Sequence, residues 1–194
     1  MGKYKLFQWI FKKEFEICND VIIRNRQECD REIDKMKQEI EKGKKQYALV
    51  QRIFFLFPSA KIVAVETNKN CEELFVVEKM NTSSLTIYLF GVSYQGITNL
   101  PRIESTIIKS EYNKDNYIHI DDIQMQDNEI RNGSIAMEYF LKTAKNLGVD
   151  YIDGCLSSKD INNFKRSVPY YKKFGFDVHL NREHTSGGIK KIMR

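Results

Sequence analysis

What the sequence lacks narrows its reading first. No apolar run approaches the roughly 20 residues that a bilayer core requires; the longest, Ile53 to Phe57, is closed by Pro58. No transmembrane segment is expected. Lys3 and Lys5 open the chain, but no uninterrupted apolar stretch with a small-residue cleavage site follows, so no signal peptide is read and a cytoplasmic location is expected. Cysteine is sparse: Cys18, Cys29, Cys71 and Cys155 are irregularly spaced, with no CxxC pair. That spacing argues against a metal site or a disulfide framework and predicts free thiols, mostly packed as small apolar groups. A large charge imbalance is also missing. The formal net charge is +5, with Lys and Arg scattered among Asp and Glu. No nucleic-acid partner is expected, and a phosphate-rich ligand accounts for the basic excess equally well.

What remains is a chain of 194 residues, 42% hydrophobic and 29% charged, the composition of a folded globular protein. This is enough for one ordinary domain and an appendage. From about Phe11 to Phe54 there is no proline, and Glu, Lys, Arg and Gln abound, which predicts helix. Ile22, Arg26, Cys29, Ile33, Met36, Ile40, Gly43, Tyr47 and Val50 follow alternating steps of four and three, the seam of a heptad pattern. Two readings follow: a long helix or helical hairpin, broken at Gly43, that packs on its own domain, or a coiled coil that makes a homodimer. Ahead of it, Leu6, Phe7, Trp9, Ile10, Phe11 and Phe15 beside Lys5, Lys12 and Lys13 suit either an anchor to the core or an anionic membrane surface.

After Pro58 the texture becomes short β-rich runs: Lys61 to Glu66, Leu74 to Met80, Leu85 to Ser93, Arg102 to Ser110 and Tyr117 to Met125. Asn68-Lys69-Asn70, Asn81-Thr82-Ser83 and Asn113-Lys114-Asp115-Asn116 supply turns. The period then changes. Ser134 to Leu147 reads as an amphipathic helix stopped by Gly148; Tyr151 to Leu156 is a strand; a second helix follows; Asp177 to Leu180 and Ile189 to Met193 form a closing hairpin. The fold class predicted is α+β (mixed α/β), with a central, mostly antiparallel sheet that a crossover helix makes partly parallel. The expected division is an N-terminal helical extension, 1–58, and a second domain, 59–194.

One junction carries chemistry. The strand ending Ile123-Gln124-Met125 runs through a polar loop into Arg131-Asn132-Gly133-Ser134-Ile135. A strand-loop-helix start presents unpaired backbone N–H groups and the positive end of a helix dipole, which suit a pyrophosphate. Gly133 would let a ligand approach the backbone, and Ser134 would cap the helix or donate to phosphate.

Here the chain resembles the GNAT acetyltransferase superfamily, whose acetyl-CoA loop reads Q/R-x-x-G-x-G/A. Gly133 and Ser134 match its second glycine and helix start, while Asn128 stands at the Gln/Arg position and Arg131 at the first glycine. Pro169-Tyr170-Tyr171-Lys172-Lys173-Phe174-Gly175-Phe176 is similar to the family's late signature, with Pro169 suited to the first helical turn and Gly175 to the residue that stops it. The resemblance implies acetyl-CoA as cofactor, held by Ile123, Gln124, Met125, Arg131, Asn132, Gly133, Ser134 and Ile135. It also implies Tyr171 as the acid that protonates the departing thiolate, with Tyr170 its packing neighbour. The acceptor would be an amine of unknown identity, attacking the thioester directly. Asp121 and Asp122 are candidate bases, but neighbouring residues on a strand face opposite sides, so both reach one cleft only if a bulge intervenes. Cys155, on a strand read as buried, is expected to be inert. The alternative reading is a non-catalytic CoA-binding or interaction module of the same fold, whose N-terminal helix binds a partner or membrane surface.

Overall fold

The computed structural model describes residues 2–109, 115–127 and 129–193. Ser110, Asn113, Lys114 and Asn128, to which the sequence assigned a strand end, a turn and a loop position, lie outside them. The chain forms two compact units, Met1–Ala48 and Leu49–Arg194.

The first unit holds α1 (Lys3–Ile10) and most of α2 (Lys12–Leu56). The helix α2 passes through Gly43 without interruption, so the hairpin reading fails. One glycine costs about 1 kcal/mol in a helix interior, too little to break a run otherwise rich in helix formers. The α1 aromatics are exposed, Trp9 at 74%, and the Phe7 ring meets those of Phe11 and Phe15. The last turns of α2 belong to the second unit, where Leu49 and Ile53 are buried and Phe57 stacks on Tyr88 at 4.6 Å.

The second unit is built on one sheet of strands β1 (Lys61–Thr67), β2 (Glu73–Met80), β3 (Ser84–Phe90), β4 (Arg102–Lys109), β5 (Asn116–Gln124), β6 (Tyr151–Leu156), β7 (Asp177–Leu180) and β8 (Gly187–Ile192). Their order across the sheet is β1-β2-β3-β4-β5-β6-β8-β7. Every pairing is antiparallel except β5 with β6, which α3 (Asn132–Asn146) joins as a crossover. The fold is α+β, as the switch of period predicted. Ile87, Ile103, Ile118, Ile120 and Ile152 are buried, and their pairings put them on one face. Helix α3 packs over β3 and β4 through a stripe of Ile135, Ala136, Met137, Phe140 and Ala144, in which Met137, Phe140 and Ala144 keep the i, i+3, i+7 spacing of an apolar helix face.

Two irregularities in the sheet position the site. In β5, Asp122 pairs with Glu104 and Ile120 with Ser105, so Asp121 is an extra residue in a β-bulge. Alternation restarts there, and Asp121 and Asp122 come to the same side. The second is an opening. The parallel ladder ends at Ile120 with Gly154, after which β5 continues along β4 and β6 along β8. Beyond that point the facing edges of β5 and β6 no longer pair with each other.

Two further sequence expectations are corrected. All four cysteines are exposed rather than packed: three lie on the helix surface or in a turn, and Cys155 takes the open side of β6 while Gly154 and Leu156 take the buried one. Pro169 is not in the first turn of its helix. A 3-10 turn, Ser158–Asn163, leads directly into α4 (Phe164–Lys173), so the proline sits in the interior. Lacking an N–H, it leaves the carbonyl of Lys165 without its usual donor four residues on.

Candidate functional site

A cavity of about 610 Å³ opens where β5 and β6 part. It is within the size range of small-molecule sites. Asp121, Asp122, Ile123 and Met125 line it from β5 and the residues just after; Gly154, Cys155 and Leu156 from β6; Arg131, Gly133, Ser134 and Glu138 from the start of α3; and Tyr170 and Tyr171 from α4. The strand end, the helix start and the tyrosine named from sequence therefore meet on one space. Three of the named residues do not line it: Gln124, whose amide donates to Asp122 at 2.7 Å; Asn132; and Ile135, which is fully buried and donates its N–H to Arg131.

Hydrogen bonds tie Asp127, Ile130 and Asn132, ahead of and at the start of α3, to their surroundings. Tyr94 donates to Asp127 at 2.9 Å, the Asn132 amide donates to the Tyr94 hydroxyl, and Asn68 donates to Asn132 at 3.4 Å. Asn132 is 1% exposed, so its side chain fastens the loop. Burial first, then the hydrogen bond to Asp127, pushes the Tyr94 phenol well above its ordinary range, which keeps it a donor. Lys69 N–H adds a bond to the Ile130 carbonyl at 3.0 Å. In this frame Glu129 and Arg131 adopt left-handed backbone, φ 68° and 81°. Arg131 is the N-cap of α3, and the N–H groups of the first helical turn have no intrahelical acceptor. Arg131 thus holds the conformation that a glycine at the first marked position of the loop pattern would supply.

Gly133 serves a purpose beyond ligand approach. A Cβ there would lie 3.3 Å from the Tyr170 ring, and the Tyr170 hydroxyl donates to the Gly133 carbonyl at 2.7 Å. The glycine lets α4 close against the start of α3. Lys173 then reaches across and donates to Ser134 Oγ at 2.9 Å, bringing a cation to the helix N-terminus that the sequence reading did not assign. Arg131 contacts Glu138 at 3.8 Å, with both side chains about half exposed.

Tyr171 is 8% exposed, packed edge-on against Tyr170 and Phe176. Its phenol is pushed up to about 12 by burial, then by the charges of Asp122 and Asp160. It stays protonated throughout the neutral range, with two carboxylates near it. Asp121 accepts from Thr106 at 2.9 Å. Sequence reasoning also missed Asp160 and Ser167, both in the cavity wall. Ser167 Oγ is buried with no hydrogen-bond partner among the described residues. For Ser167 the signal was available, since it stands four residues before Tyr171 on one face of α4; Asp160 comes from the 3-10 turn ahead of that helix.

No family model matches the chain. It is similar to the uncharacterised protein YocC of Bacillus subtilis (strain 168), 25% identical over 171 residues, which are 87% of this chain and 95% of that protein. Among solved structures, a protein described as a probable GNAT-family acetyltransferase of Chromobacterium violaceum ATCC 12472 overlaps 58% of this chain at 12% identity and a TM-score of 0.38. The chain covers 61% of that structure, less than two thirds. Ard1 of Thermoplasma volcanium overlaps 50% of this chain and 72% of its own, at 14% identity and a TM-score of 0.33. These overlaps are partial, so the functional reading rests on the cavity.

Proposed function

We propose that this chain is a GNAT-type N-acetyltransferase that transfers an acetyl group from acetyl-CoA to a primary amine by direct attack in a ternary complex. The observation that carries the reading is the parting of parallel β5 and β6 over a cavity shared by the α3 N-terminus and Tyr171. The residues fit the nucleotide thioester. The diphosphate suits the first-turn amides at Gly133 and Ser134, with Arg131 and Lys173 as cations. The pantetheine arm suits the strand edges that no longer face a pairing partner, at Ile123 to Met125 and at Cys155 and Leu156. The acyltransferase domain is residues 59–194, with 1–58 a helical extension, and a cytoplasmic location belongs to the same reading.

The chemistry asks for a proton acceptor, a partner for the carbonyl oxygen and a proton donor to sulfur. Asp122, beside Tyr171, takes the ammonium proton directly or through water, and the bulge keeps Asp121 on the same side as a second carboxylate. A free strand amide polarises the carbonyl. The amine nitrogen bonds to carbon, the carbon–sulfur bond breaks, and Tyr171 gives its proton to the thiolate.

Calorimetric titration with acetyl-CoA and thiol release over a panel of amines test this. Tyr171→Phe is expected to lower kcat by about two orders of magnitude, the usual worth of such proton transfer, with acetyl-CoA affinity nearly unchanged. Absence of binding at millimolar acetyl-CoA would sink the proposal. Binding without turnover of any amine would favour the non-catalytic module, and an unchanged rate in the Phe variant would remove Tyr171 from the mechanism.

A further inference from the structure

The first unit holds a surface that acyl transfer does not use. Between Arg26 and Tyr47 the only apolar side chains on α2 are Cys29, Ile33, Met36 and Ile40, and all four are exposed, the last three at 48%, 57% and 59%. They fall on the two seam positions of the heptad, a (Arg26, Ile33, Ile40, Tyr47) and d (Cys29, Met36, Gly43). Every other position from Gln27 to Gln46 is polar or charged. A helix that packs on a globular core carries a broader apolar face; a stripe confined to a and d is the narrower seam of a coiled coil. Long helices in water draw most of their stability from packing, so this one needs a partner along that stripe.

The flanking charges identify the partner. Glu32 and Glu39 occupy g positions, and Lys37 and Lys44 occupy e positions. In a parallel, in-register pair each g faces the e of the next heptad on the other helix. Glu32 then meets Lys37 of a second copy, and Glu39 meets Lys44. Reversing one helix would set g against g and e against e, glutamate on glutamate and lysine on lysine, at the same positions. Lys37 now rests on Asp34 of its own helix at 3.3 Å, both side chains about 70% exposed, a pair weak enough to exchange. We infer that residues 22–47 of α2 form a parallel, in-register, two-stranded coiled coil with a second copy of this chain. Its strict seven-residue repeat gives a left-handed supercoil, and Arg26 and Gly43 set its two weak layers.

The test uses the full chain and does not depend on acyl transfer. Sedimentation equilibrium at micromolar concentration is expected to give twice the chain's 22.9 kDa. Lys37→Glu with Lys44→Glu, and separately Glu32→Lys with Glu39→Lys, should each give monomers, and an equimolar mixture of the two should restore the double mass as a heterodimer. These side chains are exposed, so the second unit should keep its melting temperature. In-register pairing also puts Cys29 of each copy at the same d layer. Diamide oxidation should crosslink the dimer, and Cys29→Ser should prevent it. A wild-type monomer at every concentration overturns the inference, and if that monomer floats with anionic phosphatidylglycerol vesicles the stripe belongs to a membrane surface. A dimer indifferent to charge reversal, or one that forms without crosslinking at Cys29, overturns the register.

Discussion

Replacing Ser167 with alanine should move apo stability and ligand affinity in opposite directions. The hydroxyl is buried without a partner among the described residues, on the wall of the cavity and one turn before Tyr171. An unsatisfied buried hydroxyl costs about 1–3 kcal/mol, and because this one borders an open cavity the low end applies. Alanine also gains a few tenths of a kcal/mol from helix propensity. The apo variant should therefore be more stable by about 1 kcal/mol, a rise in Tm of about 2–4 °C for a chain of this size. If the cavity takes acetyl-CoA as proposed, the hydroxyl would find an amide or thioester oxygen as acceptor. Losing one such hydrogen bond is worth about 1 kcal/mol, or roughly fivefold in affinity. Scanning calorimetry of the apo protein and isothermal titration with acetyl-CoA read the two effects. A lower apo Tm would mean the hydroxyl is already satisfied within the fold, and unchanged affinity would mean that no ligand atom reaches it; either result refutes the reasoning.

Three further outcomes are expected. Tyr171 has its folded pKa raised from 10.0 to about 12, so its stabilisation is whole below pH 10 and is lost as pH rises toward 12. Urea unfolding across that window should show Tyr171→Phe losing about 2–3 kcal/mol less than wild type. At Arg131, φ 81°, glycine relieves left-handed strain that alanine keeps, while both lose the contact with Glu138 equally. Arg131→Gly should exceed Arg131→Ala in stability by about 1 kcal/mol, and equal unfolding midpoints would contradict the left-handed assignment. Lys173→Gln removes a cation within 2.9 Å of Ser134 Oγ; acetyl-CoA affinity should fall about fivefold and depend less on salt. S-acetylpantetheine, which lacks the diphosphate, should bind both forms alike.

Strands, crossover helix and closing hairpin were legible because each shows in local composition or period. The strands of residues 61–125 are short β-rich runs between turn residues, and Ile135, Met137, Phe140 and Ala144 mark a helical face. What failed depends on neighbours that sequence order does not reveal. The bulge at Asp121 exists because Glu104 and Ser105 on β4 oppose Asp122 and Ile120, a register no local pattern specifies. The cysteines were read as core from their average preference, yet Cys155 stands on the side of β6 that opens to the cavity. Pro169 was read as a helix start from the preference of proline for the first turn, which does not reveal that a 3-10 turn has already started the helix at Phe164.

The loop position taken by Arg131 separates two things that a sequence pattern merges. A glycine in such a pattern stands for a backbone conformation, φ above zero, more than for the lack of a side chain. Here an arginine occupies that conformation, because Tyr94, Asp127, Asn132 and Asn68 clamp the loop from behind and Lys69 ties Ile130 to the turn at 68–72. Those contacts must outweigh about 1–2 kcal/mol of left-handed strain. Arg131 also brings a guanidinium to the cavity wall, and Lys173, which donates to Ser134 Oγ, brings a second cation to the same cavity. On the proposed reading, a diphosphate here would be held by the first-turn amides together with two side-chain charges, Arg131 from the loop and Lys173 from α4, rather than by backbone dipoles alone. Its affinity should consequently fall more steeply with salt than a backbone-only grip would, because side-chain cations near the surface are screened over a Debye length of about 8 Å at physiological ionic strength.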